Sequence, residues 1–208
     1  MTLSDHDSAP LIDLSSDPFS IFDAWLHAAE KSEPNDPNAM YLATSTPQGR
    51  PSLRAILLKG HDRRGFVFYT NLESRKGREL AENPYAALLF HWKSLRRQIR
   101  IEGHVSAVSA AEADRYFASR RRESRIGAIA SDQSRPLADR AIYEKRIQDA
   151  EARYAATEPL RPDNWSGFRV NPALMEFWQD RDFRMHDRAV WTRSSPQDET
   201  WSVTRLYP

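Results

Sequence analysis

Ile99-Arg100-Ile101-Glu102-Gly103-His104-Val105-Ser106-Ala107 is the stretch that decides the fold class. In an extended chain Ile99, Ile101, Val105 and Ala107 point one way, and Arg100, Glu102, His104 and Ser106 point the other. A period of two with one apolar face marks a strand resting on a core. Working outward, Met40 to Thr46, Ser52 to Lys59, Phe66 to Thr70 and Tyr85 to Trp92 also read as strands. The turns Pro47-Gln48-Gly49 and Asp62-Arg63-Arg64-Gly65 separate the first three of these. Downstream, three short β runs follow around Phe168-Arg169-Val170, Leu174 to Trp178 and Arg188 to Thr192, with Trp201 to Leu206 as a fourth.

Helices are fewer and peripheral. Asp17-Pro18 is an N-cap followed by a proline at the first helical position, and Phe19, Phe22, Trp25, Leu26 and Ala29 form an apolar stripe behind it. Ser74 to Asn83 reads as a short helix stopped by Pro84. Ser109-Ala110-Ala111-Glu112 is a capping box opening a helix through about Ser119, and Pro136 to about Thr157 reads as a long charged helix. Many strands joined by short turns, with a few helices outside them, predict a mainly β, α+β architecture built on a small antiparallel barrel. Residues 1 to about 16 are polar and aperiodic and are expected to form a flexible N-terminal arm, leaving 17–208 as a single domain.

Composition removes several classes of function. The 208 residues suit one sizeable core, and 40% apolar with 28% charged residues is ordinary for a globular domain. Thirty basic against twenty-nine acidic side chains give no electrostatic reason to expect a nucleic acid or a membrane surface as partner. The absence of cysteine excludes disulfides, thiolate nucleophiles and Cys-ligated zinc. Met1-Thr2-Leu3-Ser4-Asp5-His6-Asp7 has no basic segment followed by an apolar run, and no window approaches a membrane span, so a cytoplasmic location is expected. The seven glycines form neither G-x-G-x-x-G nor a Walker loop, and the six histidines include no i, i+4 pair suited to a metal. Any bound phosphate must therefore be held by Arg and Lys side chains and helix N-termini.

Four clusters carry chemistry. In Arg54-Ala55-Ile56-Leu57-Leu58-Lys59 two cations flank an apolar strand, and strict alternation puts them on opposite faces; an edge strand with solvated charges has the same pattern. In Phe68-Tyr69-Thr70-Asn71 followed by Ser74-Arg75-Lys76, a strand ends in hydroxyl and amide groups and a helix begins with two cations. Cations oppose the helix dipole there, unless an anion sits at the same N-terminus; a plain surface helix is the alternative. Tyr116, Arg120 and Ser124 recur at intervals of four and share one face if the helix continues, where a phenol, a guanidinium and a hydroxyl would hold a phosphate. An arginine run, here Arg120-Arg121-Arg122, is otherwise a solvated face. Finally, Glu176-Phe177-Trp178-Gln179 precedes Arg184-Met185-His186-Asp187-Arg188, which if extended puts Arg184, His186 and Arg188 on one side and turns Asp187 away as a structural ion-pair partner.

Together and in this order, these clusters resemble the pyridoxine/pyridoxamine 5'-phosphate oxidase family, over about Asp17 to Pro208. Arg97-Gln98 and the closing Arg205-Leu206-Tyr207-Pro208 also match its pattern. The resemblance implies an FMN-binding split β-barrel working as a homodimer with two sites at the subunit interface. It implies that Arg54, Ala55, Ile56, Leu57, Leu58, Lys59, Tyr69, Thr70, Arg75, Lys76 and Gln98 line FMN, with Gln133, Ser134, Trp178 and Arg188 completing the site, partly from the second subunit. Lys59, Tyr116, Arg120 and Ser124 would hold the phosphate of a phosphorylated B6 vitamer, with Arg184 and His186 over its pyridine ring as orienting and polarising groups. The implied reaction is hydride transfer from C4' to flavin N5, with O2 as final acceptor and hydrogen peroxide as product.

Three departures stand out. Ser8-Ala9-Pro10-Leu11-Ile12-Asp13-Leu14 contains neither Arg nor Tyr, where the family often has a basic, tyrosine-containing stretch. Asp180-Arg181-Asp182-Phe183 stands in place of a glycine-containing turn, and Met185 in place of a leucine. The alternatives are a related flavin oxidase of the phenazine-biosynthesis type, which has no need of a phosphate pocket, and a non-catalytic flavin-binding protein.

Overall fold

The computed structural model describes residues 10–195 and 198–208. Helix α1 (Pro18–Ser32) starts where Asp17 caps it, accepting hydrogen bonds from the N–H groups of Phe19 and Ser20. Its stripe of Phe19, Phe22, Trp25 and Ala29 is buried. The strands β1 (Ala39–Ser45) and β2 (Pro51–Leu57) form a hairpin, followed by β3 (Gly60–Asp62) and β4 (Gly65–Asn71). Helix α2 (Arg75–Glu82) leads to β5 (Tyr85–Trp92) and β6 (Arg97–Ala107). Three helices then follow: α3 (Ala110–Ser119), α4 (Arg122–Ala130) and α5 (Arg140–Arg153). The chain closes with β7 (Trp165–Gln179), a 3-10 turn (Asp182–Arg184), β8 (Asp187–Thr192) and β9 (Ser202–Leu206).

All pairings are antiparallel, in the order β2-β1-β5-β6-β7-β4-β3, with β8 on β7 and β9 on β8. The two ends of that path, β2 and β3, are separated in sequence only by Leu58 and Lys59. Such a short link forces the sheet to curl on itself, and the Lys59 N–H donates to the Val67 carbonyl at 2.9 Å across the junction. The fold is the expected mainly β half-barrel with peripheral helices. Its core gathers Phe22, Phe66, Phe90, Ile99, Ile101, Phe177 and Trp191, with the Phe22 ring edge-on to Phe66 and Phe90 at 4.8 and 5.2 Å.

Several expectations need correction. The two β runs at 168–170 and 174–178 are one strand, because a bulge carries the ladder past Pro172. Register shifts between Glu102 and Gly103, and a Cβ on Gly103 would lie 1.9 Å from the Asn171 carbonyl oxygen, so only glycine lets the strands approach there. Ile99, Ile101 and Val105 are buried as predicted, whereas Ala107, at the strand's end, is exposed. The long charged helix starts at Arg140, capped by Asp139, well after Pro136. Of the predicted N-terminal arm, residues 1–9 lie outside the described residues. Within its remainder Ile12 is buried at 7% exposure, and its N–H donates to Asp187 Oδ2 at 2.6 Å, so packing begins before Asp17.

Candidate active site

A cleft of about 520 Å³ opens where the barrel's curl brings β2, the end of β4, the start of α2 and the α3–α4 corner together. Arg54, Ala55, Ile56, Leu57 and Lys59 line it from β2 and its continuation, and Tyr69, Thr70 and Lys76 from β4 and α2. Tyr116, Arg120, Ser124 and Gln133 complete the set of predicted residues present. Leu58 is the exception in its stretch, since it turns into the core at 4% exposure. Burial alternates through the stretch as predicted, with Arg54, Ile56 and Leu58 on the more buried side and Ala55, Leu57 and Lys59 exposed, yet Arg54 and Lys59 both border this one cleft.

Among the described residues, those lining this cleft include four cations, Arg54, Lys59, Lys76 and Arg120, and no carboxylate. Among the described residues Lys76 Nζ hydrogen-bonds to neutral groups alone: Gln133 Oε1 at 2.9 Å, Thr70 Oγ1 at 3.2 Å and Ser74 Oγ at 3.3 Å. Burial, and then the charge of Arg54, push its pKa down to about 8. Burial likewise lowers the pKa of Arg120, whose Nη1 is buried without a hydrogen-bond partner. The spacing of Tyr116, Arg120 and Ser124 predicts one continuous helix, but α3 stops at Ser119 and Arg120 is extended (φ −73°, ψ 150°) before α4 begins. The break still delivers all three to the cleft. Tyr116 is held there by aromatic stacking, on Tyr69 at 3.9 Å and on Trp165 at 6.2 Å, while the Arg120 guanidinium lies 5.0 Å from the Trp165 ring centroid. Burial raises the pKa of both tyrosines, which keeps their hydroxyls protonated.

Arg75 stands beside the cleft. Its Nε donates to Glu79 Oε1 at 2.9 Å, so of the two first-turn cations of α2 Arg75 has an acid partner and Lys76 has none among the described residues. Ser134 takes a positive φ of 72° directly after Gln133 and is exposed.

The remaining predicted residues form a second group. Gln98, Trp178 and Arg188 are consecutive partners in one row across β6, β7 and β8, which no single strand's pattern could reveal. Arg188 donates through Nε and Nη2 to Glu176 Oε1, at 3.0 and 2.7 Å, and through Nη1 to the Tyr207 carbonyl at 2.9 Å. The His186 ring lies 4.7 Å from Trp178, and its Nδ1 is 2.8 Å from Asp180 Oδ1. The stretch is not extended: Phe183 and Arg184 have φ of 56° and 60°, so Arg184 turns outward and is exposed. Asp187 turns away as an ion-pair partner, buried against Arg205. None of Gln98, Trp178, Arg184, His186 or Arg188 lines the cleft.

Residues 26–154 match the family described as pyridoxamine 5'-phosphate oxidase, and residues 165–208 match the pyridoxine 5'-phosphate oxidase C-terminal dimerisation region. The chain belongs to the pyridoxamine 5'-phosphate oxidase family. It is 69% identical over 199 residues to the pyridoxine/pyridoxamine 5'-phosphate oxidase of Gluconobacter oxydans (strain 621H), covering 96% of this chain and 98% of that protein. Against the protein of the same description from Rhodospirillum rubrum the identity is 61% over 197 residues, 92% and 96% of the two chains. Among solved structures it resembles PhzG from Burkholderia lata 383 in complex with tetrahydrophenazine-1-carboxylic acid, with a TM-score of 0.86, 32% identity and coverage of 100% and 98%.

Membership of the pyridoxamine 5'-phosphate oxidase family makes this chain an oxidoreductase with FMN as cofactor. At the start of α2 the cleft fits a phosphorylated flavin on its own evidence, since the desolvated Lys76 has no acid beside it among the described residues, and the unpartnered Arg120 nitrogen calls for an anion as well. A larger cavity of about 1120 Å³ lies elsewhere, but its arginines share it with Glu112, Asp198 and Glu199, and Arg63, Arg64 and Arg169 are already paired with Asp17, Asp62 and Glu112. Two residues at this oxidase-family site, one lining the cleft and one buried behind it, escape the sequence patterns. Trp165 is a lone aromatic at a strand's start, and Glu79 has the look of a solvated i, i+4 partner.

Proposed function

We propose that the chain oxidises pyridoxamine or pyridoxine 5'-phosphate to pyridoxal 5'-phosphate, with O2 as acceptor and hydrogen peroxide as second product. With the amine, one water enters and ammonia leaves. The observation that carries this reading is the cleft's four cations without a carboxylate, which suits two phosphates. Arg54, Arg75 and Lys76, with Thr70, hold the FMN phosphate at the start of α2; Lys59, Tyr116, Arg120 and Ser124 hold that of the substrate. Ala55 to Leu57, Tyr69, Gln133 and Ser134 border the flavin.

Bound FMN supplies the two-electron acceptor. The chain's own part is placement and electrostatics. Arg120 and Lys59 fix the substrate by its phosphate, and the Tyr116 hydroxyl, kept protonated by burial, donates to it. Arg184 and His186 orient the pyridine ring and polarise its oxygen substituent. Because the row of Gln98, Trp178 and Arg188 with His186 and Arg184 does not line the cleft of its own chain, we place it in a homodimer, completing the site at the interface. Support comes from the match of residues 165–208 to a dimerisation region, and from exposed Leu53 and Leu57 on edge strand β2. No described helix is long and apolar enough to cross a membrane, and a cytoplasmic location is part of this reading.

The likeness to PhzG favours a second reading, an oxidase of an unphosphorylated ring system. That reading offers Lys59, Tyr116, Arg120 and Ser124 a single carboxylate, where two cations with two hydroxyls suit the dianion of a phosphate better. The deciding experiment is an aerobic assay of FMN-loaded protein with pyridoxamine 5'-phosphate, following pyridoxal phosphate and peroxide. Both products are expected; a protein that keeps FMN but converts neither this substrate nor pyridoxine 5'-phosphate overturns the proposal in favour of the second reading.

A further inference from the structure

Glu79 is 5% exposed and does not line the cleft, so it meets neither flavin nor substrate. Its Oε2 accepts hydrogen bonds from the Thr44 and Ser52 hydroxyls and faces Arg54 Nη2 at 3.4 Å. Its Oε1 accepts from Arg75 Nε at 2.9 Å. Thr44 and Ser52 in turn accept from Nη1 and Nη2 of Arg54. One buried carboxylate thus ties a guanidinium on β2 to a guanidinium on α2, through two hydroxyls on the β1–β2 hairpin. These bonds more than offset the tendency of burial to neutralise it and hold its pKa at about 2.

We propose that Glu79 is a positioning residue for the FMN phosphate, locking Arg54 and Arg75 into one preformed fork across β2 and α2. The proposal rests on the placement of that phosphate at Arg54, Arg75 and Lys76. Arg75 is more than half exposed, and Glu79 is its one hydrogen-bond and ion-pair partner among the described residues. Without Glu79 its rotamer freedom would have to be lost on binding. By engaging Nε, the carboxylate leaves both Nη atoms of Arg75 free to meet phosphate oxygens side by side. Charge agrees as well: three cations with one carboxylate leave a net charge of two, matching a phosphate monoester near neutral pH.

The test compares FMN with riboflavin, which lacks the phosphate, by quenching of flavin fluorescence on the flavin-free full-length chain. Glu79→Gln should weaken FMN at least tenfold and leave riboflavin within about twofold, which collapses the ratio of the two affinities. An unchanged ratio, a parallel loss of both flavins, or tighter FMN binding would each overturn the role given to Glu79. Should Glu79→Gln not fold, Glu79→Asp, which withdraws the carboxylate by one methylene, is read by the same ratio. Wild-type protein and Arg75→Ala separate the two levels of the argument. If wild type shows no preference for FMN, or Arg75→Ala keeps it, the phosphate placement fails and the proposal with it.

Discussion

The rings of Tyr69 and Tyr116 lie face to face, 3.9 Å between centroids and 11° between planes. One comes from β4 and the other from α3, so the stack fixes where a helix-borne hydroxyl meets a cleft built on strands. On β7, directly opposite Tyr69, stands Gly167, and a Cβ there would come within 2.7 Å of the Tyr69 ring. Gly167→Ala should therefore displace the stack. Overpacking of this kind costs about 1–3 kcal/mol. We expect a lower Tm together with a raised KM for pyridoxamine 5'-phosphate, with kcat less affected. Unchanged values of both would show that the ring has room to move.

Arg120 presents a buried, unpartnered Nη1 beside the Trp165 ring. A hydrogen bond to a charged group is worth roughly 1.5–3 kcal/mol. Arg120→Ala should raise KM for the phosphorylated substrate by about 10- to 100-fold and leave flavin content intact. Steady-state kinetics with flavin absorbance on the same samples check both halves.

Lys76 makes flavin binding depend on pH. In the flavin-free chain its pKa lies near 8, below the ordinary 10.5, so between these values the unfolded chain binds more protons than the folded one. Stability of the flavin-free protein should then rise with pH across that window. FMN affinity should move the other way, falling as pH climbs through 8 and the ammonium is lost. Titrations at pH 7, 8 and 9 should show the fall in wild type and a flatter profile in Lys76→Met.

Glu79 gives a linkage of the same sign in a lower pH window. Its pKa is held near 2, below the ordinary 4.5, so its contribution to stability is present above 4.5 and lost as pH falls toward 2. Thermal melts from pH 5 to pH 3 should show wild type losing more stability than Glu79→Gln. Equal losses would mean that the carboxylate's hydrogen bonds are not retained in solution.

Arg184 and Arg75 separate turnover from cofactor retention. Arg184→Ala should cut kcat sharply while FMN stays bound, and Arg75→Ala should release FMN. Full activity and full flavin content in both variants would show that neither residue acts at the site.

Much of this was legible along the chain because it is local. The cap at Asp17, the alternation of Ile99 and Ile101, the cations opening α2 and the Tyr116–Arg120–Ser124 spacing are set by neighbours within a few residues. The resemblance to a family then gathered these pieces into one site. Where continuity was assumed from period alone it failed. Arg120 leaves the helix and Phe183–Arg184 leave the extended chain, yet in the first case the residues still converge, because a kink can redirect a side chain as well as a turn can.

The sequence by itself determined most of the element types, though not helix α4, together with the cationic character of the site and the family. Those follow from short-range pattern and residue chemistry. Only the tertiary structure decided that Arg54 and Lys59 share one cleft, that Gln98, Trp178 and Arg188 form a row, and that Glu79 is a buried bridge. Each depends on which strand lies beside which and on where the sheet curls. Thr44, Ser52 and Glu79 meet only because the β1–β2 hairpin packs against α2, and contacts between elements leave no periodic trace in the chain that makes them.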